Sequence, residues 1–183
     1  MTETKNPNTA ARLILVLFAI SAVVALLLGL TNYVTGDKIA AIKAEKTAAA
    51  MQEVLPADEY RPVDYAGDDS RVTELHEAVS GGTVGYVVRL TVPGSQDKID
   101  MLVGVGTDDC VTGVAIVDMS ETAGLGANAA KPEFRAQYVG RSGALAVTKD
   151  GGDIDALTGA TVTSRAVTNG VNAALAAAKA VKG

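Results

Sequence analysis

From Leu13 to Leu30 the chain carries no charge, and Ser21 is the one hydroxyl in the run. As a helix rising about 1.5 Å per residue, this stretch nearly crosses a ~30 Å hydrocarbon core, and Thr31 to Val34 complete the span. The run is longer than the apolar region of a cleaved secretory signal, and no small-x-small cleavage site follows, so an uncleaved anchor is expected. Lys5 and Arg12 precede the span while Lys38, Lys43 and Lys46 follow it, so the distribution of cations does not set its orientation. A short N-terminal tail that stays inside is the simpler arrangement. From Asp37 to Val54 the pattern changes to Ala, Lys and Glu with a modest apolar stripe (Ile39, Ile42, Met51, Val54). That composition predicts a helical stalk ending at Leu55 and Pro56. Asp58 to Ser70 is polar, with Asp, Gly and Pro, and reads as a connection.

The pattern then turns to β. Val84–Val92, Ile99–Gly106 and Val111–Val117 are rich in β-branched residues, with Pro93, Gly94 and Ser95 supplying the first turn, and they predict a three-stranded antiparallel meander. Gly104 and Gly106 do not make a dinucleotide fingerprint, because no helix follows and the third glycine is missing. After the third strand comes Glu121-Thr-Ala-Gly-Leu-Gly126, whose glycines let a backbone approach a flat ligand closely and whose Glu121 and Thr122 offer hydrogen bonds. A plain strand-to-helix turn explains the same residues. Phe134 and Tyr138, four apart, are expected to be core contacts of a short helix.

The last segment, Val162 to Val181, places Val167, Val171, Leu175, Ala178 and Val181 at spacings of three and four, an amphipathic helix. Asp155-Ala-Leu-Thr-Gly-Ala-Thr161 leads into it and puts the Thr161 hydroxyl at the helix N-terminus. Two readings stand side by side there. Thr161 is an N-cap contributing about 1 kcal/mol, or it marks an anion site where first-turn N–H groups and the helix dipole hold a phosphate without Lys or Arg.

Composition narrows the chemistry. The 183 residues have room for one domain and an appendage, and a net charge of −5 argues against a nucleic-acid face. Cys110 is the only cysteine, which excludes an intrachain disulfide, a Cys-rich zinc site or an iron–sulfur cluster held by this chain alone. His76 is the only histidine; it follows a charged stretch and reads as a solvated surface residue, which leaves no histidine triad. No metal site is expected.

Taken together, the anchor, the strand pair Met101-Leu-Val-Gly-Val-Gly and Val111-Thr-Gly-Val-Ala-Ile-Val, the loop Glu121–Gly126 and the motif Asp155–Thr161 resemble the FMN-binding G subunit of the Rnf electron-transport complex. The likeness covers nearly the whole chain. It implies an α+β protein: a cytoplasmic tail (1–12), a transmembrane helix (13–34), a helical stalk (35–56) and an extracytoplasmic FMN-binding domain (57–183) with an antiparallel sheet and flanking helices. The last motif resembles the flavinylation signal Asp-x-x-Ser/Thr-Gly-Ala-Thr, so Thr161 would be esterified to the FMN phosphate by a flavin transferase. On the same resemblance Asp155, Thr158, Gly159 and Ala160 would be recognised by that transferase, while Glu121, Thr122, Gly124 and Leu125 would line the flavin. Where the family usually has proline, this chain has Ala123. No side chain would act as catalyst in turnover, and the partners would be the other Rnf subunits in the inner membrane. The related C subunit of the sodium-translocating NADH:quinone oxidoreductase is the neighbouring possibility, and a tethered binding or sensor module is one of a different class.

Overall fold

The computed structural model describes residues 7–182. Its elements are α1 (Pro7–Val54), five strands, β1 (Glu59–Pro62), β2 (Val72–Val79), β3 (Thr83–Pro93), β4 (Lys98–Gly106) and β5 (Val111–Met119), the single turn α2 (Pro132–Arg135) and α3 (Thr161–Lys182). Short 3₁₀ turns at Gly126–Ala130 and Ala136–Tyr138 flank α2, and a third covers Thr148–Asp150. The chain divides into two compact units with the boundary between Glu45 and Lys46.

The span and the first part of the stalk, to Glu45, belong to the first unit and are helical throughout, within α1. The helix begins at Pro7, a residue suited to the first helical position because its missing N–H has no intrahelical partner to lose. Of the expected tail, 1–12, residues 1–6 lie outside the described residues, and Pro7–Arg12 are already helical. The apolar window of this helix has a mean hydropathy of 3.1 and no buried residue. Leu13, Ile14, Leu17 and Phe18 are each about two-thirds exposed or more, as a helix facing lipid requires.

The second unit is built on a five-stranded antiparallel sheet in the order β1-β2-β3-β4-β5. The three strands expected from the pattern are β3, β4 and β5, and two more precede them. Residues Glu59–Pro62, expected to be connection, form β1, which pairs with β2 from Glu59↔Val79 to Pro62↔His76. His76 is therefore a half-buried strand residue and not a solvated one, and its Nδ1 is buried without a hydrogen-bond partner among the described residues. β1 is short and ends in proline, which limits further pairing along this edge of the sheet.

Alternation along the strands gives the sheet two apolar faces. On one, Val88, Leu90, Val92, Ile99, Met101 and Val103 pack against Val167, Val171, Ala174 and Ala178 of α3. Gly170 allows this close approach, since a Cβ there would lie 2.7 Å from Met101 Sδ. On the other face, Ala78, Val87, Leu102 and Ala115 pack against Ala50, Met51 and Val54 at the end of α1. The last turns of the expected stalk are thus part of the domain, and Thr112 Oγ1 donates a 2.6 Å hydrogen bond to the Val54 carbonyl. Phe134 and Tyr138 are buried together, ring centroids 5.7 Å apart and nearly perpendicular, as their spacing predicts. Tyr138 hydroxyl sits 2.9 Å from Thr168 Oγ1, and because Thr168 donates to the Ser164 carbonyl, the tyrosine is the donor. Burial pushes the Tyr138 phenol up to about 12, so it stays neutral at any physiological pH.

Candidate functional site

The site is assembled at the start of α3. Thr158 and Gly159 form a turn in which Ala160 N–H donates to the Leu157 carbonyl at 3.0 Å, and Gly159 adopts φ +74°, a conformation that favours glycine. Ser164, fully buried, locks this turn to the helix: its Oγ accepts from Leu157 N–H and donates to the Ala160 carbonyl, both at 2.9 Å. The helix begins at Thr161 itself, one residue earlier than the pattern predicts. Ala160 then occupies the cap position, and Thr161 is not the N-cap. Its hydroxyl instead accepts a 2.8 Å hydrogen bond from Lys149 Nζ. The first-turn N–H groups are thus not the only positive group at this helix start: the segment Asp150–Ala160 folds so that Lys149 also reaches it.

Glu121 also differs from its expected place. Its Oε1 accepts from the backbone N–H of Ser95 (2.8 Å) and Gln96 (3.1 Å), and its Oε2 accepts from Thr163 Oγ1 at 2.7 Å. One carboxylate thus ties the β3–β4 turn, the 121–126 loop and the first turn of α3 together. Burial raises its pKa, but the hydrogen bonds from Thr163, Gln96 and Ser95 together outweigh burial and hold it below the ordinary carboxylate value. A depressed carboxyl stabilises the fold above its unfolded pKa, near 4.3, and that contribution is lost as pH falls through the folded value. Glu121→Gln is expected to lower the melting temperature by roughly 3–6 °C at neutral pH. Melting curves of both proteins should converge as pH drops below about 4; a gap independent of pH would show that the charge is not what holds the loop.

From Thr122 to Leu125 the loop is exposed, and Gly126 turns back into the domain. Thr122 is exposed, and its carbonyl accepts from Leu125 and Ala127 N–H at 3.1 Å each. Gly124 has φ +77°, and its carbonyl accepts from Asn128 Nδ2 at 2.8 Å. Leu125 is 43% exposed and lies against the Gly159 turn, where an added Cβ would be 3.0 Å from Leu125 Cδ2. Val162, 54% exposed, is a second apolar side chain left open beside Thr161. Asp155 is exposed; Gln137 holds its backbone, accepting from its N–H at 2.7 Å, and no hydrogen bond to its carboxylate is seen among the described residues.

The structure thus brings Thr161, Gly159, Ala160 and Leu125 together, assigns Glu121 an internal role, and leaves Thr122, Thr158 and Asp155 on the surface. Lys149, Thr163 and Ser164 are the members that pattern reading missed. None has a periodicity that points to it, and Lys149 reaches the site only through the turn at Thr148–Asp150. A recess of about 510 Å³ lies away from Thr161, beside Ser142–Ala144 and the later turns of α3. The residues at Thr161 suit a flavin phosphate: a hydroxyl at a helix start, a nearby ammonium, and two exposed apolar side chains for a flat ring.

A family model described as the FMN-binding domain matches residues 94–176, which include the loop, the turn and most of α3. Fold and site together define the class, a protein built on the FMN-binding domain. Among its relatives, the G subunit of the ion-translocating oxidoreductase complex of Methanosarcina acetivorans is 38% identical over 172 residues, covering 90% of this chain and 92% of that one. The G subunit of the Na(+)-translocating ferredoxin:NAD(+) oxidoreductase complex of Acetobacterium woodii is 38% identical over 180 residues, covering 86% of each. The chain belongs to this family, the G subunits of ion-translocating, or Rnf, oxidoreductase complexes. The crystal structure of the C subunit of the Na(+)-translocating NADH-quinone reductase from Parabacteroides distasonis shares the fold, with a TM-score of 0.54 and 20% identity, covering 73% of this chain and 80% of that one.

Proposed function

We propose that this chain is the flavin-carrying subunit of a membrane complex that couples electron transfer between ferredoxin and NAD to translocation of sodium ions or protons. FMN would be held covalently through Thr161. The observation that carries this is the Thr161 hydroxyl, which opens α3 without capping it and is met by Lys149 Nζ at 2.8 Å. An ordinary cap would spend that oxygen on the helix's own N–H groups. FMN attached through its phosphate keeps its redox ring unmodified and supplies one- and two-electron transfer. The chain's residues supply the rest: Thr161 the ester oxygen, Leu125 and Val162 an apolar surface, and the first-turn N–H groups of α3 a positive end for the phosphate.

Residues 13–34 would cross the inner membrane from a tail inside, and the domain would face outward. A dissociable flavin on an outward-facing domain would be diluted away, whereas an ester on a tethered domain stays beside the partner subunits. Attachment would be made by a flavin transferase. Asp155, whose carboxylate is left open while Gln137 fixes its backbone, fits a residue read by that enzyme. Asp155→Ala is expected to reduce flavin loading several-fold while leaving the acceptor intact, and unchanged loading would reduce Asp155 to a turn residue.

The direct test is the intact mass of the chain co-produced with a flavin transferase, followed by peptide mapping. A gain of one FMN less one water on the peptide containing Thr161 is expected. An unmodified mass, where a control substrate is flavinylated, would overturn the covalent reading and bring forward the tethered sensor module.

A further inference from the structure

The 3₁₀ turn Thr148–Asp150 carries two consecutive charged side chains, and each takes hold of α3 one helical turn apart. Lys149 Nζ donates to Thr161 Oγ1. Asp150 receives Arg165 through two parallel bonds, Nε to Oδ2 at 2.7 Å and Nη2 to Oδ1 at 2.5 Å. Thr161 and Arg165 are four residues apart, so they share one face of the helix. The turn itself is closed by Asp150 N–H to the Val147 carbonyl at 2.8 Å and by Gly151 at φ +84°. It is held from below by Thr148 N–H on the Ile154 carbonyl, also at 2.8 Å.

A lysine ammonium on a long exposed stem does not stay on one acceptor unaided, because its four side-chain torsions spread it over many positions. A bidentate guanidinium–carboxylate pair fixes orientation as well as distance. We infer that the Asp150–Arg165 pair is a positioning device for flavin attachment, pinning the 148–150 turn to α3 so that Lys149 stays on the Thr161 oxygen. This rests on the covalent reading of Thr161. Among the described residues neither the Asp150 nor the Arg165 side chain hydrogen-bonds the Thr161 hydroxyl; both act on it through Lys149.

The chemistry explains why that position matters. Lys149 donates to one lone pair of Thr161 Oγ1, which turns the hydroxyl proton away from the ammonium and leaves the other lone pair for an incoming phosphorus. A phosphate monoester is a poor electrophile, so the co-reactant is an activated flavin phosphate, a flavin–nucleotide anhydride. Thr161 Oγ1 forms the new O–P bond while the anhydride P–O bond breaks. The nucleoside monophosphate leaves with that electron pair, and the threonine proton passes to a base of the transferase or to water. Nothing is oxidised or reduced. The Lys149 charge lies next to the oxygen where the phosphodiester charge is placed, an advantage realised only if the ammonium is already there.

The test measures the rate of FMN mass gain on the purified full chain in detergent, with flavin adenine dinucleotide as donor and a flavin transferase. Asp150→Ala and Arg165→Ala should each slow loading about tenfold, as misplacement of a positioned group does. Melting temperatures should stay unchanged, because both side chains are at the surface. The charge-exchanged double variant, Asp150→Arg with Arg165→Asp, should recover most of the lost rate, which an effect of either side chain on its own would not produce; the unchanged melting temperatures separate positioning from a role in stability. Lys149→Met should load as slowly as either single variant. Loading at the wild-type rate in both single variants would overturn the pair's role while leaving the covalent reading standing. So would an exchanged pair no faster than either single variant. No mass gain on the wild-type chain, with a control substrate loaded, would overturn both together.

Discussion

Thr161→Ala is expected to give a folded protein that carries no covalent flavin. The two halves of that outcome come from different features of the same residue. On the proposed reading covalent loading needs the hydroxyl, and no other residue of the Thr158–Thr161 turn stands where it does: Gly159 and Ala160 have no oxygen on the side chain, and Thr158 sits three residues earlier, ahead of the helix start. The fold does not need it, because Thr161 caps nothing and is only half-buried, while Ala is the stronger helix former. Stability should therefore change by no more than about 0.5 kcal/mol. Flavin fluorescence on a denaturing gel, together with intact mass, reads the first half; a melting curve reads the second. Thr161→Ser restores an oxygen at the same place and should restore loading. Retention of fluorescence in Thr161→Ala would sink the assignment outright, since it would place the ester elsewhere.

The residues that such a variant leaves untouched show how unevenly the sequence exposes the site. Leu13–Leu30 is plain because lipid tolerates no charge, and β3, β4 and β5 are plain because both faces of these strands are covered and demand apolar residues over most of their length. β1, at the edge, and β2, its neighbour, were hidden by their polar side: Glu59 and Arg61 on β1 and Glu74 and Glu77 on β2 interrupt the apolar run that marks β3 to β5, and Glu59–Pro62 therefore read as polar connection. At the site, Thr161 was legible because a motif names it. Lys149 was not, because its approach depends on the path of the intervening chain and on the Asp150–Arg165 pair, neither of which has a periodicity. Glu121 shows a different limit. Its acid beside glycines suggests a ligand contact, and the sequence gives no sign of the hydrogen bonds its oxygens accept from Ser95, Gln96 and Thr163, partners from two distant segments of the chain. Local pattern marks where chemistry is concentrated, but not whether a polar group serves the ligand or the fold.

Gly113→Val is expected to loosen the end of α1 from the sheet and to lower the melting temperature by roughly 5–10 °C. Gly104 and Gly113 stand opposite each other on β4 and β5, and neither adopts a positive φ. Space, not backbone conformation, requires them. A Cβ on Gly113 would lie 2.7 Å from Val54 Cα and 2.9 Å from the Val54 carbonyl oxygen, and one on Gly104 would lie 2.5 Å from that same oxygen. These are backbone atoms at the end of a helix and cannot swing aside as a side-chain tip would. Valine gains strand propensity worth at most about 1 kcal/mol. Overpacking costs about 1–3 kcal/mol, and lifting Val54 also breaks the Thr112 Oγ1 bond to its carbonyl, worth about 1 kcal/mol. The steric terms win, and the contacts of Met51 and Val54 with Val87, Leu102 and Ala115 weaken with them. Gly82→Ala is the control: no atom lies within 4 Å of its added Cβ, so it should melt with the wild type. Flavin loading should survive in Gly113→Val, because Thr161 belongs to the helix on the opposite face of the sheet. A melting temperature at or above that of the wild type would show that the end of α1 is not seated on this pair of glycines.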